Sequence, residues 1–384
     1  MRLRALMATD TAGGAWTFAL ELASALSRSG SQVDLATLGR ALSPGQRAEA
    51  EEVPRLRVHE GSSLLEWKED DWPAVDQAGR WLLDLEQRLG PDVIHLNGYV
   101  HGALSWRAPV VVTGQSCPLS WFAAVHGGTP PSTWDRYAGE VARGLRAAHV
   151  VTTPTRAMGE MLRQHYGTDI PIRVIPNGRS IPPPPVVPKR HRILSVGRLS
   201  EPASNMAALD RVASRLSWHV VVAGETMGPD GTVVRLKHAR ALGVLEPAAL
   251  AKAYAGAAVF ALPALYEPFG YAPLEAALSG CALVLGDIPS LREVWGDAAI
   301  WVPPRDDQAL LQTLRWLIED RQVRREYAKR AREHAMAYTP ERTAAGYLDA
   351  YRTALSESGE LIGTQPEAAA IPAAAPGLES GQRR

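Results

Sequence analysis

Short apolar runs alternate with amphipathic stretches along most of this chain. Runs of four to six apolar residues are typical of buried strands, whereas apolar residues three and four positions apart indicate helices. The first pair is a strand over residues 3–8 and a helix over 17–29 whose apolar positions fall on one face. Repeated alternation of this kind predicts a parallel sheet with crossover helices, an α/β fold.

The alternation divides into two series. The first predicts strands at 3–8, 33–37, 93–96, 110–113, 150–153 and 172–175, with helices at 17–29 and 75–89. The second predicts strands at 192–197, 220–223, 258–262 and 282–285, with helices at 247–256, 307–319, 321–337 and 340–355. Each series is long enough to form a doubly wound, Rossmann-like domain.

A proline-rich segment separates the two series. Five prolines stand between residues 181 and 190, where they exclude helix and favour a stiff, extended linker. We therefore predict an N-terminal domain over 1–180 and a C-terminal domain over 191–340. Residues 341–356 form a last helix. Residues 357–384 are rich in Ala, Pro, Gly and Glu, and we expect them to be disordered.

Composition limits the possible classes of function. Lys and Arg total 41, as do Asp and Glu, so the zero net charge argues against a protein that coats nucleic acid or binds membranes through a polybasic surface. No apolar run reaches the length of a transmembrane helix, and the first one is too short for a signal peptide, so we expect a cytoplasmic protein.

Two cysteines and scattered histidines give no sign of a metal site. Cys117 and Cys281 are far apart and flanked by apolar residues, which predicts buried free thiols. The histidines show no ligand spacing, so we predict neither a metal nor a cofactor.

The segment from Glu267 to Glu275 carries the clearest chemical signal. It places two carboxylates around Phe269 and Gly270, after an apolar strand pattern and before an apolar helical run. A strand, a glycine loop and a helix start form an anion cradle, because free N–H groups and the helix dipole favour negative charge there. The carboxylates can accept hydrogen bonds from hydroxyl groups. The expected ligand therefore has both phosphates and hydroxyls, as a sugar nucleotide does.

This segment resembles the signature of the retaining glycosyltransferases of family 4, which have the GT-B fold. Residues 280–304 continue the resemblance in the same order, and it extends over about 1–355. It implies two Rossmann-like domains facing a central cleft, and a final helix that can cross back to the first domain. It also implies transfer of a hexose from a nucleotide diphosphate sugar to an acceptor hydroxyl, with retention and without an obligatory metal.

The resemblance implies a role for each matching residue. Glu267 would bind donor-sugar hydroxyls and stabilise charge at the anomeric carbon, Arg198 would grip the diphosphate, and Glu275 would hold the ribose. The donor-binding set is Gly13, Gly14, Arg198, Phe269, Gly270, Tyr271, Ala272, Leu274 and Glu275.

Two positions depart from the family pattern. Ala203 and Ser204 stand where a lysine normally shares the phosphate charge, and Gln115 replaces a histidine that reaches the donor sugar. Gln115 is still our third catalytic candidate, although its amide has no titratable proton. Two alternatives stay open: an inactive sugar-nucleotide-binding partner or regulator, and another GT-B activity such as epimerisation or hydrolysis.

The residues that would bind the acceptor are marked less clearly in the sequence. The candidates at the carboxyl end of the strand at 93–96 are His95, Asn97, Tyr99 and His101, and either histidine can replace the missing imidazole or be structural. Trp121 is either an exposed stacking surface or core. The sequence leaves the donor base, the sugar, the acceptor and the oligomeric state open.

Overall fold

The computed structural model of the protein describes residues 2–61, 72–167, 169–228 and 231–359. The C-terminal tail, predicted to be disordered over 357–384, lies outside the described residues from residue 360 onward.

The N-terminal half contains a seven-stranded parallel sheet with the order β3-β2-β1-β4-β5-β6-β7. Its strands are β1 (Arg4–Asp10), β2 (Gln32–Leu38), β3 (Leu56–Glu60), β4 (Val93–Leu96), β5 (Val110–Thr113), β6 (Val150–Thr153) and β7 (Ile172–Val174). Its helices are α1 (Gly13–Arg28), α2 (Pro44–Glu51), α3 (Trp72–Leu89), α4 (Pro118–His126), α5 (Asp135–Ala147) and α6 (Arg156–Tyr166).

The C-terminal half contains a six-stranded parallel sheet with the order β10-β9-β8-β11-β12-β13. Its strands are β8 (Arg190–Val196), β9 (His219–Ala223), β10 (Arg240–Gly243), β11 (Ala257–Leu262), β12 (Ala282–Gly286) and β13 (Ile300–Val302). The helices that follow in the chain are α7 (Met206–Ala213), α8 (Pro247–Gly256), α9 (Tyr271–Leu278), α10 (Pro289–Trp295), α11 (Asp307–Glu319), α12 (Arg321–Ala335) and α13 (Pro340–Glu357). Two parallel sheets with helices on their faces confirm the predicted α/β architecture.

Helices cover the faces of each sheet, and the central strands are accordingly buried along most of their length. In the N-terminal sheet, one face packs against α1 and the other against α3, α5 and α6. The C-terminal sheet and its helices form a single core. Cys117 and Cys281 are buried free thiols, as predicted.

Helix α13 belongs to the N-terminal core although it follows the C-terminal domain in the chain. It packs on α1, and its Tyr347 and Tyr351 are fully buried among residues of the first sheet. The chain therefore crosses between the domains twice, once near residue 180 and once near 339.

The two crossovers touch. Gly178 lies against the backbone of Thr339, where a Cβ atom would come within 2.2 Å of the carbonyl carbon, so only glycine fits without displacing the chain. The Thr343 hydroxyl donates to the Pro176 carbonyl at 2.8 Å, and the Arg179 N–H donates to the Tyr338 carbonyl at 3.1 Å. These contacts fix the two connections to each other at one place.

Candidate active site

The starts of two helices lie close together between the domains. Helix α1 begins at Gly13 and α9 begins at Tyr271, and neither has a side-chain cap. They are close neighbours, since a Cβ atom on Gly14 would lie 3.6 Å from the Tyr271 ring. Two uncapped helix starts thus lie near each other, and the free N–H groups of a helix start suit a ligand with negative charge.

Glu267 lies in the loop between β11 and α9, and the loop holds its position. The carboxylate accepts from the Phe269 N–H at 3.4 Å, and the Glu267 carbonyl accepts from the Ser290 hydroxyl at 2.6 Å. Burial raises the pKa of Glu267, while the N–H groups of Phe269 and Gly270 act in the opposite direction. The motif carboxylate is therefore oriented by its own loop.

The other members of the donor-binding set contribute backbone more than side chains. Phe269 is buried against the rings of Tyr271 and Tyr338, and Leu274 is fully buried. Ala272 has only a methyl group. Their packing fixes the start of α9, so the free N–H groups there point in a set direction.

Glu275, the second motif carboxylate, forms an ion pair that the sequence did not predict. Arg179 donates from Nε to Glu275 Oε1 at 2.7 Å and from Nη1 to Glu21 Oε1 at 2.5 Å. Glu21 lies on α1, so one guanidinium joins the first crossover to both domains. No local pattern marks Arg179 or Glu21 in the sequence.

Arg198 also has an acidic neighbour. Its guanidinium lies 3.2 Å from the Glu201 carboxylate, and Glu201 additionally accepts from the Trp121 indole at 2.7 Å and from the Ala203 N–H at 3.1 Å. Trp121 comes from α4 of the other domain, so this contact spans the cleft. An acid thus stands beside Arg198 in the segment where the family pattern has a second cation.

Asp10 brings a further carboxylate to the cleft from the end of β1. Burial raises the pKa of Asp10, opposed by a hydrogen bond from the Ala12 N–H and by the nearby charges of Arg198 and Arg40. The sequence signal was available, because Asp10 is the polar residue that ends the first strand next to the glycine turn.

Gln115 is held by a reciprocal amide pair. Its Nε2 donates to Asn177 Oδ1 at 3.2 Å, and Asn177 Nδ2 donates to Gln115 Oε1 at 2.8 Å. Asn177 is buried and belongs to the same turn as Arg179. Gln115 therefore connects the end of β5 to the turn that precedes the first crossover.

The four acceptor candidates lie largely in the N-terminal core. His95 is fully buried between the hydroxyls of Tyr351 and Thr113, at 2.6 and 2.9 Å, and burial lowers its pKa to about 3. Asn97 lies next to it, with its amide atoms buried. Tyr99 is buried and donates to the Ser116 carbonyl, and His101 is buried against the Val75 carbonyl. The structure does not bring these side chains together with the motif carboxylates.

The rims of the two domains are in contact around the motif. The Cys117 N–H donates to the Tyr266 hydroxyl at 2.9 Å, and the Thr155 hydroxyl donates to the Pro268 carbonyl at 3.1 Å. The Glu293 carboxylate accepts from the first two N–H groups of α6, at 2.7 and 2.9 Å. The cleft is therefore in a closed arrangement.

The described residues contain neither a metal-binding cluster nor a membrane-spanning helix. Within those ranges, no cluster of three or more His, Cys, Asp or Glu side chains has the arrangement of a metal site. No helix in the described part of the chain combines the length and apolar character needed to cross a bilayer.

Comparison with known proteins assigns both halves of the chain. The model of Glycosyltransferase Family 4 matches residues 12–181, and that of Glycosyl transferases group 1 matches residues 180–334. A D-inositol 3-phosphate glycosyltransferase of Xylanimonas cellulosilytica is 29% identical over 90% of this chain and 93% of its own. A glycogen synthase of Mycobacterium tuberculosis is 27% identical over 71% of this chain and 72% of its own.

Solved structures share the fold at low identity. Sucrose-phosphate synthase from Thermosynechococcus elongatus superimposes with a TM-score of 0.76 at 18% identity, covering 93% of this chain and all of the other. Anabaena HepE, solved with UDP and glucose, gives a TM-score of 0.72 at 18% identity, covering 91% of this chain and 99% of its own.

Proposed function

This chain belongs to the family 4 glycosyltransferases with the GT-B fold, and from that premise we propose that it transfers a hexose from a nucleotide diphosphate sugar to an acceptor hydroxyl with retention of configuration. The observation that carries the proposal is the meeting of two uncapped helix N-termini at Gly14 and Tyr271, beside Arg198 and the two motif carboxylates. This arrangement offers positive potential for a diphosphate and acceptors for sugar hydroxyls.

The proposed roles follow from what each group can do. The N–H groups of α1 and α9 and the Arg198 guanidinium stabilise the departing diphosphate, which makes a metal unnecessary in this proposal. Glu275 accepts hydrogen bonds from the ribose hydroxyls. Glu267 accepts from donor-sugar hydroxyls and, when ionised, stabilises positive charge that develops at the anomeric carbon. The leaving phosphate takes the acceptor's proton, so no separate base is needed.

A donor screen followed by turnover tests this proposal. We expect one of the UDP-, GDP-, ADP- and TDP-sugars to raise the melting temperature of the full chain, with the same shift in EDTA. Glu267→Ala is expected to lower turnover of that donor by about 100-fold or more, because it removes a group that acts on developing charge. Turnover is measured as release of the nucleoside diphosphate in the presence of candidate acceptors.

The control is Glu140→Ala, which removes a carboxylate from an ion pair with Arg143 on the surface of α5. It is expected to leave melting and turnover unchanged. Normal turnover by Glu267→Ala would remove Glu267 from the site, and the absence of any thermal shift would contradict nucleotide-sugar binding. An EDTA-sensitive shift would contradict metal independence alone.

A second candidate function is a non-catalytic relative that binds the nucleotide sugar and serves as a partner or regulator. Two observations favour it: Glu201 stands beside Arg198, and Gln115 is engaged with Asn177 in place of an imidazole. If the folded protein binds the donor but transfers sugar to none of the acceptors, that result would favour a non-catalytic binding role over catalysis.

A further inference from the structure

The segment from Asn177 to Arg179 touches both halves of the cleft. Asn177 pairs with Gln115 at the end of β5, and Arg179 reaches Glu275 on α9. The backbone between them is pressed against the second crossover at Thr339 and held by the Tyr338 carbonyl. Its position is thus set by the place where the domains are joined.

The Arg179 side chain lies between two largely buried carboxylates. The side chains of Glu275 and Glu21 are 15% and 14% exposed, and that of Arg179 is 29% exposed. Burial raises the pKa of Glu21, and the charge of Arg179 opposes that rise. Two carboxylates with so little access to water are stabilised by the guanidinium that lies between them.

The contact also fixes the orientation of Glu275. Arg179 engages one carboxylate oxygen, Oε1, through a short charge-assisted hydrogen bond. A carboxylate has several lone-pair positions, so it can accept from Arg179 and from a hydroxyl at once. Without Arg179, Glu275 would lose the ion pair that orients its carboxylate.

We propose that Arg179 is a positioning residue for donor binding: it orients Glu275 toward the ribose hydroxyls and links that contact to the junction of the two domains. This inference rests on the proposed function. Arg179 itself does not touch the donor, so its removal acts on the nucleotide only through Glu275.

Calorimetric titration of the full chain tests this with the nucleoside diphosphate identified by the donor screen and its 2′,3′-dideoxy analogue. Arg179→Met is expected to weaken binding of the ribose form by about 10-fold or more. The dideoxy form, which offers no hydroxyl to Glu275, is expected to bind Arg179→Met and the parent protein within about twofold of each other. Arg179→Lys should recover part of the lost affinity, because lysine keeps the positive charge but lacks the forked guanidinium that can contact two carboxylates at once.

Arg211→Met is the matched control. Arg211 forms a two-point ion pair with Asp307 on the surface of the C-terminal domain, away from the cleft. This variant is expected to bind both nucleotides like the parent protein. If Arg179→Met fails to fold, Arg179→Lys is used for the test. It is expected to lose affinity for the ribose form selectively, but by a smaller factor.

The outcomes separate the inference from the function it rests on. Equal weakening of both nucleotides would mean that Arg179 only supports the fold, and no weakening would mean that Glu275 needs no anchor. Either result overturns the inference while donor binding stands. A parent protein that binds no nucleoside diphosphate overturns the proposed function, and the inference with it.

Discussion

At the scale of single residues, contiguous motifs were predictable and their distant partners were not. Glu267, Phe269 and Gly270 lie within four positions of each other, so their loop and its hydrogen bonds follow from local sequence. Arg179 meets Glu275 across 96 positions and Glu21 across 158, and only the fold brings them together. Ion pairs of that kind leave no periodic signal in one sequence.

Glu201 gives a prediction at this scale. If a diphosphate binds at Arg198 as proposed, the Glu201 carboxylate would compete with it for the guanidinium and repel it. Glu201→Gln is therefore expected to tighten nucleoside diphosphate binding by up to about fivefold, as suits an exposed pair. Glutamine can still accept from the Trp121 indole, which keeps the cleft contact. Calorimetry at two salt concentrations measures the change.

The gain in affinity from Glu201→Gln should be larger at low salt, because salt screens the interaction between exposed charges. Glu341→Gln is the control, since Glu341 forms an exposed pair with Arg28 outside the cleft. Binding that is unchanged or weaker in Glu201→Gln would contradict competition between Glu201 and the diphosphate.

At the scale of elements, the buried central strands and the edge strand β7 were predicted, whereas the edge strands β3, β10 and β13 were missed. The apolar runs predicted β1, β2 and β4 because both faces of those strands are covered. β3 and β10 lie at sheet edges, where polar and half-exposed residues replace the apolar run. Helix α1 begins at Gly13, four residues before its predicted start, because its first turn is part of the glycine loop.

Lys189 gives a prediction for the ends of two helices. Its ammonium donates to the Ala257 carbonyl at 2.7 Å and to the Ser279 carbonyl at 2.8 Å, at the C-termini of α8 and α9. Burial lowers the pKa of Lys189, so the contact is made at some cost in hydration. Lys189→Met is expected to reduce the free energy of unfolding by about 1–2 kcal/mol, measured by urea denaturation.

Lys329→Met is the matched control for the helix ends. Lys329 is exposed on α12, and its Nζ lies 3.8 Å from Glu333, so its loss is expected to change the free energy of unfolding by less than about 0.5 kcal/mol. Similar effects of the two variants would mean that Lys189 stabilises the protein no more than an ordinary surface lysine does.

At the scale of the whole molecule, the α/β architecture was predictable because the alternation of strands and helices requires it. The closed arrangement of the cleft was not, since it depends on single polar contacts between rims. Glu293 makes one such contact, by accepting from the two N–H groups at the start of α6. Its charge also complements the positive end of that helix.

Opening of the cleft is the corresponding prediction. Glu293→Ala removes two charge-assisted hydrogen bonds and is expected to shift the balance about tenfold or more toward an open form. Small-angle X-ray scattering should then give a larger radius of gyration than for the parent protein, and saturating nucleotide should reduce it again. Glu140→Ala serves as the control, and an unchanged radius in Glu293→Ala would mean that the other rim contacts suffice for closure.

The return of α13 to the N-terminal core makes the two domains inseparable by a single cut. A protease that cleaves the proline-rich linker would leave α13 attached to the C-terminal fragment, with Tyr347 and Tyr351 still seated in the N-terminal one. The two fragments would stay together as a noncovalent pair. A gene truncated at the linker would instead produce a first domain with an open apolar slot along α1, so this enzyme lends itself to fragment complementation rather than to isolated domains.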